Sequence, residues 1–368
     1  MRYLILFLTA FIFSMCLTGI VRKFALSRGL LDKPRERDVH QSPMPRIGGL
    51  AIFLAFMAVS VITFAFIFPA ESFGQPFLWG LDKRLLGIWA GALVITGTML
   101  FDDLFGLKVW QKLGSQILVA LILIASGIGI DHLTNPFGGE FNLNSIYIPL
   151  LTYEGVTYHF SLLSDVLTLI WIVGMMNVVN FVDGVDGLAS GQAAIAAITI
   201  FLLSLSPLVN QPATAMLAII LAGAAAGFLL WNFPPAKIFM GDSGSMFLGF
   251  LLGALPLISG GKLATAFLVL GFPIIDGVFV AASRLIKGKN PMTTPDKTHL
   301  HHRFLRAGFS RRQAVCIIYF ISAAFGWVAL RSTTQNKVIA AGVLAALLFG
   351  LVALLTYQGK KRAVISDS

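Results

Sequence analysis

Apolar runs of about 17 to 25 residues, each closed by charges, Gly/Pro pairs or polar clusters, recur from one end of the chain to the other. They fall at 3–21, 47–69, 85–101, 113–130, 161–180, 191–207, 213–231, 244–258, 263–283, 313–330 and 338–357. Each is long enough for a helix to cross a bilayer, so the pattern predicts an all-α fold, a polytopic bundle of about eleven transmembrane spans. The stretch 131–160 breaks the rhythm with Asn135, Pro136, Gly138 and Gly139 and reads as an extramembrane hairpin or a short interfacial segment. No connection leaves room for a separate soluble domain of more than about 30 residues, so 1–368 reads as a single integral membrane domain. The first run, Met1 to Val21, has no small-residue cleavage site of the usual kind and is followed by many more spans, so it reads as a retained helix.

Composition agrees with a bilayer setting: 57% of residues are hydrophobic and only 12% charged, which excludes an ordinary soluble protein of this length. The net charge of +10 is explained by topology without nucleic acid. Counting connections alternately, 21 of the 27 lysines and arginines fall on one side; the other six are Arg2, Lys83, Arg84, Lys262, Arg331 and Lys337. The positive-inside rule makes that side cytoplasmic, with the N-terminus outside and the C-terminus inside. Cys16 and Cys316 lie far apart in apolar segments and suggest neither a disulfide framework nor a zinc site.

The same face collects the acids and histidines, in four clusters. The first, Phe101-Asp102-Asp103-Leu104-Phe105-Gly106-Leu107-Lys108, closes the third span. Adjacent carboxylates at a membrane edge are costly unless a cation or proton is shared, which suits metal binding or general-base work; a solvated pair of helix-end acids is the plainer reading. Lys112 follows as a partner for a phosphate or for Asp103. The second cluster, Asn177-Val178-Val179-Asn180-Phe181-Val182-Asp183-Gly184-Val185-Asp186-Gly187, sets Asn177 and Asn180 on one helical face before a doubled Asp-Gly unit. Helix caps around a short loop account for one Asp-Gly step; two, with no Lys or Arg, point to a pocket.

The third cluster, Met240-Gly241-Asp242-Ser243-Gly244-Ser245, precedes the eighth span. Asp242 is the foremost metal-ligand candidate, though an aspartate there also suits an N-cap, and the two roles are compatible. The fourth, Asp296-Lys297-Thr298-His299-Leu300-His301-His302-Arg303, sits in the basic loop 284–312. Three histidines among cations favour phosphate binding or proton handling over zinc, which lacks cysteine partners here. A softer fifth element runs from Leu31-Asp32-Lys33-Pro34 through His40 to Pro45-Arg46-Ile47-Gly48-Gly49, either lining the site or serving as a plain interfacial loop. Oxygen ligands, Gly-rich approaches and a basic loop together suit a Mg²⁺-bound diphosphate, and the absence of any P-loop puts the acceptor in the membrane.

The runs FDDLFGL, NVVNFVDGVDGLASG, MGDSGSMFLG and PDKTHLHHRF, with DKPRERDVHQSPMPRIGG before them, resemble the polyprenyl-phosphate N-acetylhexosamine-1-phosphate transferase family over nearly the whole chain. The resemblance implies a multi-pass protein of the bacterial inner membrane, active at the cytoplasmic face. Its reaction would be attack of undecaprenyl phosphate on the β-phosphate of a UDP-sugar with Mg²⁺ or Mn²⁺, releasing UMP. By motif position Asp102 and Asp103 would lie near the lipid phosphate as base or electrostatic organiser, with Lys112 on phosphate. Asn180 and Asp242 would hold the metal; Asn177, Asp183, Asp186 and Arg303 would bind substrate; and His299, His301 and His302 would serve the diphosphate or sugar. The run His299-Leu300-His301-His302, in place of three consecutive histidines, is similar to the branch that uses UDP-N-acetylglucosamine to start O-antigen, common-antigen or teichoic acid synthesis. Some members of that branch carry a further acid where this chain has Gly106, which leaves substrate details open. The partners implied are the UDP-sugar, the polyprenyl phosphate and membrane lipid, with no nucleic acid; the sequence leaves the oligomeric state open, a homodimer among the options.

A transporter or flippase is the rival from another class. It calls for acids near the bilayer midplane and internal repeats; only Asp165, in the fifth span, and Asp276, in the ninth, give it a foothold. A non-enzymatic scaffold leaves the doubled Asp-Gly unit unexplained.

Overall fold

In the computed structural model the chain is a bundle of long apolar helices. The structure describes the chain apart from residues 33–42, 69–76, 79–80, 136–137, 154–155, 333, 367–368 and most of 259–299. In order the helices are α1 (Arg2–Ser27), α2 (Gly49–Ile62, continued by a π-helical turn Thr63–Ile67), α3 (Lys83–Phe105), α4 (Val109–Ala125), α5 (Leu162–Val182) and α6 (Leu188–Ser204). Then come α7 (Pro212–Asn232), α8 (Gly241–Ile258), the short α9 (Leu300–Arg306), α10 (Arg311–Arg331) and α11 (Thr334–Ser366). Among the described residues eight helices are long and apolar enough to cross a membrane, and α4 and α6 are shorter apolar helices of 17 residues each. Most of the span expected at 263–283, including Asp276, lies outside the described residues. At its 33 residues α11 would measure about 50 Å, longer than the hydrocarbon core, so part of it must project beyond the bilayer.

Helices α7 and α8 form the centre. In α8 every residue but Asp242 is buried, and α7 carries no charged residue and a run of Ala and Gly. Between helices in lipid, where apolar surface gains nothing by leaving solvent, attraction comes from close packing, and small residues allow it. A β-carbon on Gly223 or Gly227 of α7 would sit within 2.4 Å of the Phe7 or 2.2 Å of the Phe11 carbonyl oxygen, so α1 crosses α7 with its backbone in contact. Large side chains on the far side of α1, such as Leu4, Ile5, Ile12 and Ile20, stay exposed, as a lipid-facing surface requires.

The all-α expectation needs one correction: four antiparallel two-stranded ribbons occupy the connections. They are β1 (Leu31–Asp32) with β2 (Met44–Pro45), β3 (Phe77–Leu78) with β4 (Leu81–Asp82), β5 (His132–Thr134) with β6 (Glu140–Asn142), and β7 (Tyr147–Tyr153) with β8 (Val156–Ser161). The last two fill the stretch expected as a hairpin or interfacial segment. Apolar periodicity set the boundaries in the sequence, whereas backbone groups in a connection must find partners locally once they leave the helices. Short α9 likewise arises inside the basic loop 284–312. The β1–β2 ribbon matters most, because it delivers Arg46 to the foot of α2.

Candidate active site

Helix α3 ends where Gly106 takes φ 76°, and a short turn leads into α4. Successive helical side chains point about 100° apart, so Asp102 and Asp103 serve different neighbours. Asp102 turns to α4: its Oδ1 accepts from the Leu107 N–H at 2.7 Å and its Oδ2 lies 2.5 Å from Lys112 Nζ. Asp103 turns to α8: its Oδ1 accepts from Asp242 N–H at 2.8 Å and its Oδ2 from Ser243 N–H at 3.0 Å. The Asp103 side chain is 0% exposed. It therefore caps α8 from another helix, satisfying two of the N–H groups orphaned at a helix start and meeting the positive end of its dipole. Asp242, read from sequence as a possible N-cap, is not the cap; it sits in the first turn, where its carboxylate is left for other partners.

Those partners come from three directions. Lys112 Nζ lies 2.9 Å from Asp242 Oδ2, Arg46 Nη2 lies 3.1 Å from Oδ1, and Asn180 Nδ2 donates to Oδ1 at 3.2 Å. Lys112 thus joins Asp102 to Asp242; the expected pairing with Asp103 gives way because that carboxylate faces α8. Asn180 also donates to Ser245 Oγ at 2.9 Å, which fixes α5 against α8. Asn177, one turn deeper, donates to Gln116 Oε1 at 2.8 Å, and Gln116 in turn donates to Met246 Sδ at 3.5 Å. The common face predicted for the two asparagines exists, but only Asn180 reaches the carboxylates.

Arg46 is the residue that sequence reasoning undervalued. Its backbone is held by a patch of strand-like pairing: Phe239 N–H donates to Pro45 O at 2.8 Å, Gly48 N–H to Phe239 O at 2.9 Å and Gly49 N–H to Met240 O at 2.7 Å. Gly241, at φ 74°, closes against it, since a β-carbon there would fall 2.1 Å from Arg46 O and 2.5 Å from Asp103 Oδ2. Only glycine fits this position on both counts. The available clue was a cation placed directly before the Ile47-Gly48-Gly49 helix entry.

In the Asp-Gly loop the two aspartates diverge. Asp183, just past the end of α5, keeps some exposure as a residue while its carboxyl is enclosed by protein. Burial pushes its pKa well above the ordinary carboxylate range, Arg46 opposes this, and the charges of Asp242, Asp103 and Asp186 add to it. Asp186 Oδ2 accepts from Ala236 N–H at 3.0 Å and lies 3.9 Å from Arg311 of α10, so it ties neighbouring loops together. Gly187 donates to Asn232 Oδ1 at 2.9 Å, and its carbonyl accepts a short hydrogen bond from Tyr319. Asn232, Arg311 and Tyr319 were not singled out from sequence, because each acts only through residues distant along the chain.

In the fourth cluster, His301 and His302 lie within α9, and His299 lies outside the described residues. Arg303 Nη1 donates to Thr356 Oγ1 at 2.5 Å, fastening α9 to α11. Of the two acids noted for a transporter, Asp276, the better foothold, lies outside the described residues, and Asp165 accepts from Ser161 N–H at 2.8 Å through Oδ2 and so caps the start of α5. A midplane ion relay does not explain it.

Asp102, Asp103 and Asp242 each present a carboxylate oxygen within 4.8 Å of the others. An all-oxygen, carboxylate-rich donor set fits a hard divalent cation such as Mg²⁺ or Mn²⁺. Among the described residues the charges also fit: counted as anions, Asp102, Asp103, Asp242 and Asp183 face the two cations Arg46 and Lys112. One divalent ion would make up the difference.

A family model described as glycosyl transferase family 4 matches residues 85–260, which include every carboxylate of the cluster. The chain is 33% identical over 342 residues to the Bacillus subtilis protein named "Probable undecaprenyl-phosphate N-acetylglucosaminyl 1-phosphate transferase", covering 90% of this chain and 86% of that one. It is 36% identical over 335 residues to the Mycobacterium tuberculosis protein named "Decaprenyl-phosphate N-acetylglucosaminephosphotransferase", covering 85% and 78%. With the Yersinia pestis protein named "Undecaprenyl-phosphate alpha-N-acetylglucosaminyl 1-phosphate transferase" it shares 29% identity over 362 residues, covering 92% and 88%.

Proposed function

The chain belongs to glycosyl transferase family 4, and from that premise we infer that it transfers N-acetylglucosamine-1-phosphate from UDP-N-acetylglucosamine to undecaprenyl phosphate. The products are undecaprenyl-diphospho-N-acetylglucosamine and UMP. In this reading a lipid phosphate oxygen bonds to the donor's β-phosphorus, and the bond from that phosphorus to the oxygen bridging the α-phosphate breaks. That oxygen leaves with UMP. The observation that carries the reading is the meeting of Asp102, Asp103, Asp242, Lys112 and Arg46 at one end of the bundle. Phosphoryl transfer asks for positioning and charge neutralisation, and these residues are arranged for both.

Asp242 and Asn180 are the proposed metal ligands, with Asp102 and Asp103 completing the oxygen-rich wall. A Mg²⁺ or Mn²⁺ ion bound there would neutralise the donor diphosphate. Lys112 orients the lipid phosphate. Asp103, with both oxygens held by α8 N–H groups, acts as an organiser of the site in preference to a general base. Asp183 and Asn177 shape the nucleotide pocket, and the histidines of the fourth cluster contact diphosphate or sugar. Asp186 and Arg303 act by holding the loops and α9 in place.

The cation bias of alternate connections supports eleven spans, an outside N-terminus, a cytoplasmic C-terminus and a site at the cytoplasmic face of the bacterial inner membrane. The pathway role proposed is the initiating step of an envelope polysaccharide. The test is purified protein with Mg²⁺, undecaprenyl phosphate and labelled UDP-N-acetylglucosamine. Label entering the lipid fraction with matching release of UMP is expected. Exclusive use of UDP-N-acetylmuramoyl-pentapeptide would overturn the sugar assignment, and no UMP from any UDP-sugar would overturn the reaction.

A further inference from the structure

Arg46 pairs with an aspartate that a metal needs. Its guanidinium lies 3.1 Å from Asp242 Oδ1 and 3.7 Å from Asp103 Oδ1, while its side chain remains 37% exposed at the rim of the cluster. Its backbone is clamped between the β1–β2 ribbon and residues 239–240, so the base of the side chain is fixed and the head can swing. Lys112 bridges Asp102 and Asp242 from the opposite side at 2.5 and 2.9 Å. The two cations thus occupy the space between carboxylates where a divalent ion would bind.

A planar guanidinium suits this position in two ways. It keeps its charge at every accessible pH, and its forked N–H groups match the non-bridging oxygens of a phosphate as well as those of a carboxylate. We propose that Arg46 is a donor-binding residue that holds Asp242 in the absence of metal and exchanges that carboxylate for the donor diphosphate when a divalent cation binds. The proposal rests on the transferase reading of this site. It makes Arg46 a competitor of the metal and a partner of the substrate, two effects of opposite sign that a merely structural arginine does not combine.

The experiment measures Mn²⁺ affinity by electron paramagnetic resonance without any substrate, and separately KM for UDP-N-acetylglucosamine, in Arg46→Met and Arg46→Lys. For Arg46→Met, Mn²⁺ should bind roughly tenfold tighter because a competing positive charge is gone. KM should rise by a factor of roughly ten to a hundred through loss of a charge-assisted contact. Arg46→Lys keeps the charge and loses the fork, so Mn²⁺ affinity should stay within about twofold of the parent while KM still rises severalfold. Inorganic pyrophosphate should compete with the donor less effectively in both variants. Weaker Mn²⁺ binding in Arg46→Met would show that Arg46 only supports the site, and an unchanged KM in both variants would remove it from the donor; either overturns the proposal. If Arg46→Met does not fold, Arg46→Lys alone decides: raised KM with parental Mn²⁺ affinity supports the proposal, and parental KM overturns it. The Mn²⁺ measurement uses no nucleotide sugar, so it stands even if the unsubstituted protein proves to use another donor.

Discussion

Asp103 and Asp186 do the same structural work in two neighbouring regions. Each binds the backbone N–H groups of another segment, at Asp242 and Ser243 in one case and Ala236 in the other, and each has an arginine about 4 Å away, Arg46 or Arg311. Among the described residues Asp186 lies 3.9 Å from Arg311, and Asp183 is the acid near enough to feel its charge. Around Asp103, three further carboxylates, Asp102, Asp183 and Asp242, crowd the same space as Arg46 and Lys112. Carboxylates brought this close are costly to bury as anions unless more positive charge arrives. The difference teaches that anchoring alone does not mark a site; the excess of negative charge does.

Removing the excess should therefore cost far more activity than removing the neighbouring anchor. Asp242→Ala is expected to lower kcat by roughly a thousandfold or more and to abolish the dependence of rate on Mg²⁺ concentration, with the protein still in the membrane fraction. Lys112→Met should cost roughly a hundredfold in kcat/KM for the lipid phosphate, measured by varying undecaprenyl phosphate at saturating donor. Asp183→Asn should act mainly through pH. Its raised pKa means the carboxyl takes up a proton above the ordinary carboxylate range, so an activity that needs its charge falls as pH drops through that raised range, and this limb should vanish in the variant. The stability sign is opposite to that of a salt-bridged acid. An acid raised on folding loses stability as pH climbs from its unfolded to its folded pKa, so Asp183→Asn should melt higher at neutral pH, with the gain fading on acidification. Asp186→Asn, at the balanced anchor, should cost only severalfold in rate and about 1 kcal/mol of stability by thermal melting.

Much of this was readable along the chain because membrane spans and Gly-Asp-Ser or Asp-Gly runs are local patterns. Ten of the eleven expected spans correspond to described helices, with ends displaced by a few residues, and Asp102, Asp103, Lys112, Asn180 and Asp242 do meet. What was not readable depends on how helices cross. Asp103 caps α8 because α3 and α8 touch, where a β-carbon on Gly91 would lie 2.6 Å from Phe250 Cζ and one on Gly241 2.5 Å from Asp103 Oδ2, and no one-dimensional pattern announces that contact. Lys112 pairs with Asp102 because of rotation about α3, a matter of one residue in register. Arg46 looked like one topogenic cation among many until the pairing of residues 45–49 with 239–240 brought it to Asp242. Asn177 shares a helical face with Asn180 in the sequence, and only the position of Gln116 in the bundle shows that Asn177 turns to that residue instead of the carboxylates.

On this reading the crowded carboxylates, and not the paired anchor beside them, hold a divalent cation. Mn²⁺ titration of purified, substrate-free protein followed by electron paramagnetic resonance tests it most directly, comparing the parent with Asp242→Ala and Asp186→Asn. One bound Mn²⁺ is expected in the parent and in Asp186→Asn, and its loss in Asp242→Ala. Undiminished Mn²⁺ binding in Asp242→Ala would contradict it.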